Sequence, residues 1–162
     1  MLSLALIGSA VAQDWDTEVT VEVQTCSEIT ASVDIDDWVV AGVETSTKDG
    51  ADINVKANHG VIVSASGSDR GKLTSTTASH SLTNELQLTS SDGGNWDTGK
   101  FVTDMSLSES AQEIATLTSY PTGDAGKSLG IDLKQTTTWA DPAADDYKIT
   151  ITYTADSTVK IT

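Results

Sequence analysis

The chain has 162 residues, room for one domain, and at that size folding buries roughly two-thirds of the surface that the unfolded chain exposes, so a core requires neither disulfides nor a metal. Twenty-four acidic residues against nine basic ones give a net charge of −15 and a pI near 4.1. That potential repels phosphate backbones and anionic lipid heads, which excludes nucleic acid as a natural partner. The same charge suits either a solvated acidic surface or an assembly in which cations neutralise carboxylates on neighbouring subunits.

About a quarter of the residues are Ser or Thr, and Thr dominates the outward phase of the predicted strands, where β-branching fits a pleated surface. None of Asn54, Asn58, Asn84 and Asn95 is followed two positions on by Ser or Thr, so no N-glycosylation acceptor exists among them. The lone Cys26 has no intrachain partner and reads as a small buried hydrophobe or, alternatively, as a link between chains.

Residues 1–12 form the one continuous apolar run, too short to span a bilayer and ending in the small-x-small triplet Ala10-Val11-Ala12. Export to the outside of the cell or its surface is the expectation. No Lys or Arg precedes the run, so three readings stay open: a removed leader, a retained segment whose Leu2, Leu4 and Leu6 share one strand face, or an internal stretch of a chain whose start lies upstream of Met1. The expected division is an N-terminal apolar segment over 1–16 and a β-domain over 17–162, with no membrane span.

Beyond the acidic spacer at 14–16, Val19, Val21, Val23, Ile29, Ala31, Val33 and Ile35 hold odd positions, the period-two signature of half-buried strand. Strands at 53–57 and 61–65 flank Asn58-His59-Gly60, which predicts a tight hairpin. Residues 66–81 read as loop, 82–88 as strand and 90–99 as loop. Residues 100–107 give one strand through Phe101, and 108–117 fit a strand or a short helix, with strand preferred. A turn around Pro121 and Gly123 precedes a long strand over 129–139. Residues 147–161 then alternate Tyr147, Ile149, Ile151, Tyr153, Ala155, Val159 and Ile161 with Thr and Lys, the clearest strand in the chain. No stretch carries a helical period with caps. The prediction is all-β, a single jelly-roll or immunoglobulin-like sandwich of about eight to ten short antiparallel strands. Its expected core is Val33, Ile53, Val55, Val61, Val63, Phe101, Ile131, Leu133, Ile149 and Ile151.

A catalytic constellation is not legible. Residues 122–128 end like a phosphate-binding loop, but Pro121 stands where the first Gly is required, and a strand pattern follows where a helix should start. Ser157 and Lys160 match Ser-x-x-Lys inside an alternating strand without the partner motifs. His59 and His80 have no carboxylate or thiol at ligand spacing. Hence no enzymatic activity and no obligate cofactor are expected. Carboxylates are the remaining ligand candidates: Asp34, Asp36 and Asp37; Asp92 and Asp97 with Asn95; and Asp141, Asp145 and Asp146. Hard oxygens suit calcium, but none of these clusters has the spacing of a recognised calcium loop, and solvated turn acids are the competing reading. Trp15, Trp38, Trp96 and Trp139 would serve a sugar-binding face or fill the core, and burial is the commoner fate of tryptophan.

The export-type start, the alternating first strand, the 55–58 and 61–64 segments (Val-Lys-Ala-Asn and Val-Ile-Val-Ser) and the terminal 144–155 run together resemble secreted prokaryotic β-sandwich filament subunits of the TasA/camelysin and archaeal bundling-pilus kind. The resemblance is one of pattern across most of the chain. It implies a homopolymer that grows head to tail by strand donation, in a pilus or biofilm fibre, with Leu2, Leu4, Leu6 or Val19, Val21, Val23 as the donated strand. A surface-displayed adhesive or carbohydrate-binding sandwich is the alternative.

Overall fold

The computed structural model describes residues 27–31, 35, 38–50, 52–93, 99–117 and 125–158. Apart from one three-residue 3-10 turn (Asp69–Gly71), the regular secondary structure among them is all strand: β1 (Ser27–Ala31), β2 (Thr45–Asp49), β3 (Ile53–Ala57), β4 (Val61–Gly67), β5 (Thr74–Ser75), β6 (His80–Ser81), β7 (Gln87–Asp92), β8 (Gly99–Phe101), β9 (Met105–Ser106), β10 (Gln112–Leu117), β11 (Lys127–Thr136) and β12 (Ile151–Ser157). Every pairing is antiparallel. The first sheet runs β1-β3-β11-β7-β9, with β2 also on β11, and the second runs β12-β4-β10-β8. β5 and β6 form a small separate hairpin. No helix among the described residues is long and apolar enough to cross a membrane.

One core lies between the sheets. Ile53 and Val55 (β3), Leu88 (β7), and Leu129, Ile131 and Leu133 (β11) face Val61, Val63 and Ala65 (β4) and Ile114 and Ala115 (β10), all buried in one cluster. Strict alternation explains this: β4 is buried at every odd residue from Val61 to Gly67, and β11 from Leu129 to Gln135. Six predicted core residues, Ile53, Val55, Val61, Val63, Ile131 and Leu133, are buried there, while Ile149 and Ile151 pack against the cluster half-buried. Val33 and Cys26 lie outside the described residues.

Three expectations are corrected. Residues 58–60 do not close a hairpin, because both edges of β3 are taken by β1 and β11 and β4 belongs to the other sheet. The connection is an arch between layers, and His59 turns inward, 4% exposed, with Nδ1 2.7 Å from the Gly60 carbonyl. The strand expected over 100–107 divides in two. Val102 ties itself to Ser90 on β7, Asp104 adopts a positive φ of 49°, and the chain passes from the second sheet (β8) to the first (β9). Phe101 therefore lies on an edge strand and is 38% exposed instead of filling the core. The strand expected over 82–88 starts at Gln87 and runs on to Asp92, while Leu82 and Leu86 are buried through irregular backbone held by Leu73 and Gly71.

Candidate functional site at the open edge of the second sheet

β12 is one of the two outer strands of the second sheet, β8 being the other. Its register on β4 fixes which backbone groups are used. Ser68 N–H donates to Thr150 O at 2.9 Å and Thr158 N–H to Gly60 O at 2.9 Å, in line with the pairing of Thr152 with Ser66, Thr154 with Ser64 and Asp156 with Ile62. In an antiparallel ladder the bonded pairs alternate, so the even residues of β12 bond to β4 and the N–H and C=O groups of Ile151, Tyr153 and Ala155 point away from it. Among the described residues no strand pairs with that outer edge. Ser27, the first residue of β1, reaches it from the other sheet and donates its hydroxyl to Ala155 O at 3.3 Å.

The side chains of these same residues turn toward the core. Ile151, Tyr153 and Ala155, with Ile29 of β1, pack against the buried cluster yet stay half-exposed, whereas the opposite phase of the strand, Thr152 and Thr154, faces solvent. Tyr153 is enclosed enough that burial pushes its hydroxyl up to about 12. The result is a seam between two sheet edges, apolar on its inner side and lined with outward backbone donors and acceptors.

Asp141 and Asp146 hold the approach to β12. Asp146 accepts hydrogen bonds from the Ser75 hydroxyl, from Thr76 Oγ1 at 2.8 Å and from Thr77 N–H at 2.8 Å, which join the β5–β6 turn to the segment before β12. The Ser75 hydroxyl, then the Thr77 amide and the Thr76 hydroxyl, pull its carboxyl well below the usual carboxylate range. Asp141 accepts from Thr83 N–H (2.7 Å) and Thr83 Oγ1 (2.8 Å) on one oxygen and from Thr138 N–H (2.7 Å) and Thr138 Oγ1 (3.0 Å) on the other. Burial works to raise its pKa, but these four bonds outweigh it and hold the carboxyl at about 2. His80 Nε2 stands 3.6 Å from Asp141 Oδ1. Tyr147 is raised by burial and by the charges of Asp141 and Asp146, and its hydroxyl donates to Pro142 O at 2.9 Å.

The predicted calcium residues thus fall in different places. Asp141 and Asp146 serve separate hydroxyl and amide networks, and Asp145 is exposed between them. Among the described residues no three His, Cys, Asp or Glu side chains are grouped to hold a metal. Asp34, Asp36 and Asp37, and the donor candidates Leu2, Leu4, Leu6, Val19, Val21 and Val23, lie outside the described residues. Of the tryptophans, Trp38 is half-buried with its Nε1 donating to Ser46 Oγ at 3.0 Å, and Trp139 is 94% exposed. The strong alternation of residues 147–161 is the sequence signal for β12; its outer position is a property of topology and was not legible.

Comparisons with protein-family models, with curated proteins and with solved structures each gave no significant match, so the functional reading rests on geometry and sequence.

Proposed function

We propose that this chain is a structural subunit of an extracellular filament that grows head to tail, each copy adding an N-terminal strand to the β12 edge of the next. The observation that supports the reading is the seam itself, where Ile151, Tyr153 and Ala155 turn backbone donors and acceptors outward above half-buried apolar side chains. An exposed edge of this kind must be charged, covered or paired. The inner phase of β12 from Ile151 to Ala155 carries no charge that would blunt it.

A strand laid on this edge satisfies the outward groups and drops alternate side chains onto the seam. Val19, Val21 and Val23 supply that alternation, as do Leu2, Leu4 and Leu6, and both sets precede Ser27, whose hydroxyl already touches the edge. Donor and acceptor surfaces differ, so the contact propagates as an open fibre unless its rotation closes a ring. Stacking subunits of charge −15 requires counter-ions. Because the oxygens of Asp141 and Asp146 are engaged internally, diffuse screening fits better than a cation held by those two residues. The subunit needs no catalytic group for this role.

The test is deletion of residues 1–24. The account expects the full chain to form fibres in a concentration-dependent way and the deleted chain to stay monomeric and melt earlier, with a synthetic peptide of residues 14–24 restoring the lost stability. A full chain that remains monodisperse at every concentration, with the segment folded on its own β12, overturns it, as do normal fibres from the deleted chain.

A further inference from the structure

Ser27 stands at a junction. It opens β1, it comes four residues after Val23, and its hydroxyl donates to Ala155 O on the β12 edge at 3.3 Å. Ala155 O is one of the outward acceptors that an added strand uses, so the serine and that strand meet at the same oxygen. A carbonyl can accept two hydrogen bonds, but an added strand runs about 4.8 Å from β12, and its inner side chain beside Ala155 needs the space in front of that oxygen, which Ser27 fills.

β1 is lightly held. Four of its five residues are exposed and Ile29 alone is half-buried, whereas its neighbour β3 buries Ile53, Val55 and Ala57. It pairs with β3 on one side only. Its ion pair, Glu28 with Lys56 at 3.8 Å, joins side chains that are 60% and 45% exposed, and pairs this wet add little. The Ser27 contact is longer than the roughly 2.7–2.8 Å of a good hydroxyl hydrogen bond. So few buried contacts mark a strand that opens at low cost.

We propose that β1 is a latch on its own subunit's acceptor edge: Ser27 keeps the Ala155 end of β12 shut in the free subunit and lifts away when the chain before it is drawn into a neighbouring copy. The inference rests on the strand-addition reading and supplies its regulation. Donor segment and latch are continuous chain, so giving a strand to one neighbour opens the edge that takes a strand from the other. A subunit already engaged in a fibre therefore presents an open edge, and a free monomer a shut one. Two free monomers meet latched, which predicts a lag that preformed fibres remove.

The test follows fibre growth of the full chain by light scattering, with and without fibre seeds. In a Cys26→Ser background, Glu28→Cys and Lys56→Cys stand directly opposite each other on β1 and β3, at the Cα spacing of an antiparallel pair, which a disulfide can bridge. Oxidised, this chain keeps β1 on β3. It should leave seeds unextended and melt no lower than its reduced form, and the reduced form should extend seeds as the parent does. Ser27→Ala, which removes only the hydroxyl, should nucleate about two- to tenfold faster, the worth of one hydrogen bond. Equal elongation by the oxidised and reduced chains, or a Ser27→Ala lag equal to the parent's, overturns the latch and leaves strand addition standing. Absence of fibres from the parent and reduced chains alike overturns strand addition and the latch with it.

Discussion

Substituting Asp141 by Asn tests how the segment before β12 is held. The carboxylate is 3% exposed, and each oxygen accepts one amide and one hydroxyl hydrogen bond. Its pKa falls from an ordinary 3.8 to about 2. At 1.36 kcal/mol per pH unit that difference is worth about 2.5 kcal/mol of folding free energy. Because the folded-state value is depressed, the contribution is complete above pH 3.8 and disappears as pH falls through about 2. Asp141→Asn replaces one of the two oxygens by an amide donor that faces two of these four donors and removes the charge, so at pH 7 it should cost about 2–3 kcal/mol and lower the melting temperature by about 5–10 °C for a chain of this size. Urea unfolding of both proteins at pH 7 and at pH 2 reads the two values. The gap should be largest at pH 7 and shrink toward pH 2. A deficit that is the same at both pH values, or below about 0.5 kcal/mol at pH 7 where mutational noise begins, would refute the charge-based account of this anchor.

Three further outcomes follow from packing and burial. Gly71 sits at φ +78°, and a Cβ there would lie 2.0 Å from Leu107 O, so Gly71→Ala should destabilise by more than the roughly 1–2 kcal/mol of a left-handed alanine alone, read by denaturant midpoint. Ile114 is fully buried on β10 between the sheets, and Ile114→Ala should cost about 2–5 kcal/mol by chemical denaturation. Tyr153, raised by burial to about 12, contributes stability that is complete below pH 10 and lost as pH rises from 10 toward 12. Tyr153→Phe should remove that alkaline loss, seen as a flatter melting temperature against pH across the same interval.

The layers of this fold were legible where alternation is strict. Residues 53–57, 61–67 and 129–135 each bury one phase, and the period-two pattern alone identifies the face. Strand partners were not legible, because a three-residue link serves a hairpin and an arch equally well until the other edges are filled, as those of β3 are. Phe101 misled for a related reason: its strand has the right alternation but lies at the edge of the second sheet, where one phase stays wet. Leu82 and Leu86 are buried through loop backbone that has no period to read. Asp141 and Asp146 stood out as acids in the sequence, but their partners, Thr83 and Ser75 among them, come from 58 and 71 residues away.

The β12 edge is the centre of the functional account, and backbone amide exchange on it is the most direct measurement. In the dilute monomer of the chain lacking residues 1–24, the outward N–H groups of Tyr153 and Ala155 should exchange quickly while those of Thr152 and Thr154, bonded to β4, are slow. In the assembled full chain the Tyr153 and Ala155 amides should become protected by about a hundredfold or more, as expected for hydrogen bonds that open only with loss of the added strand. Outward amides that exchange at the same rate in monomer and assembly would contradict strand addition at β12.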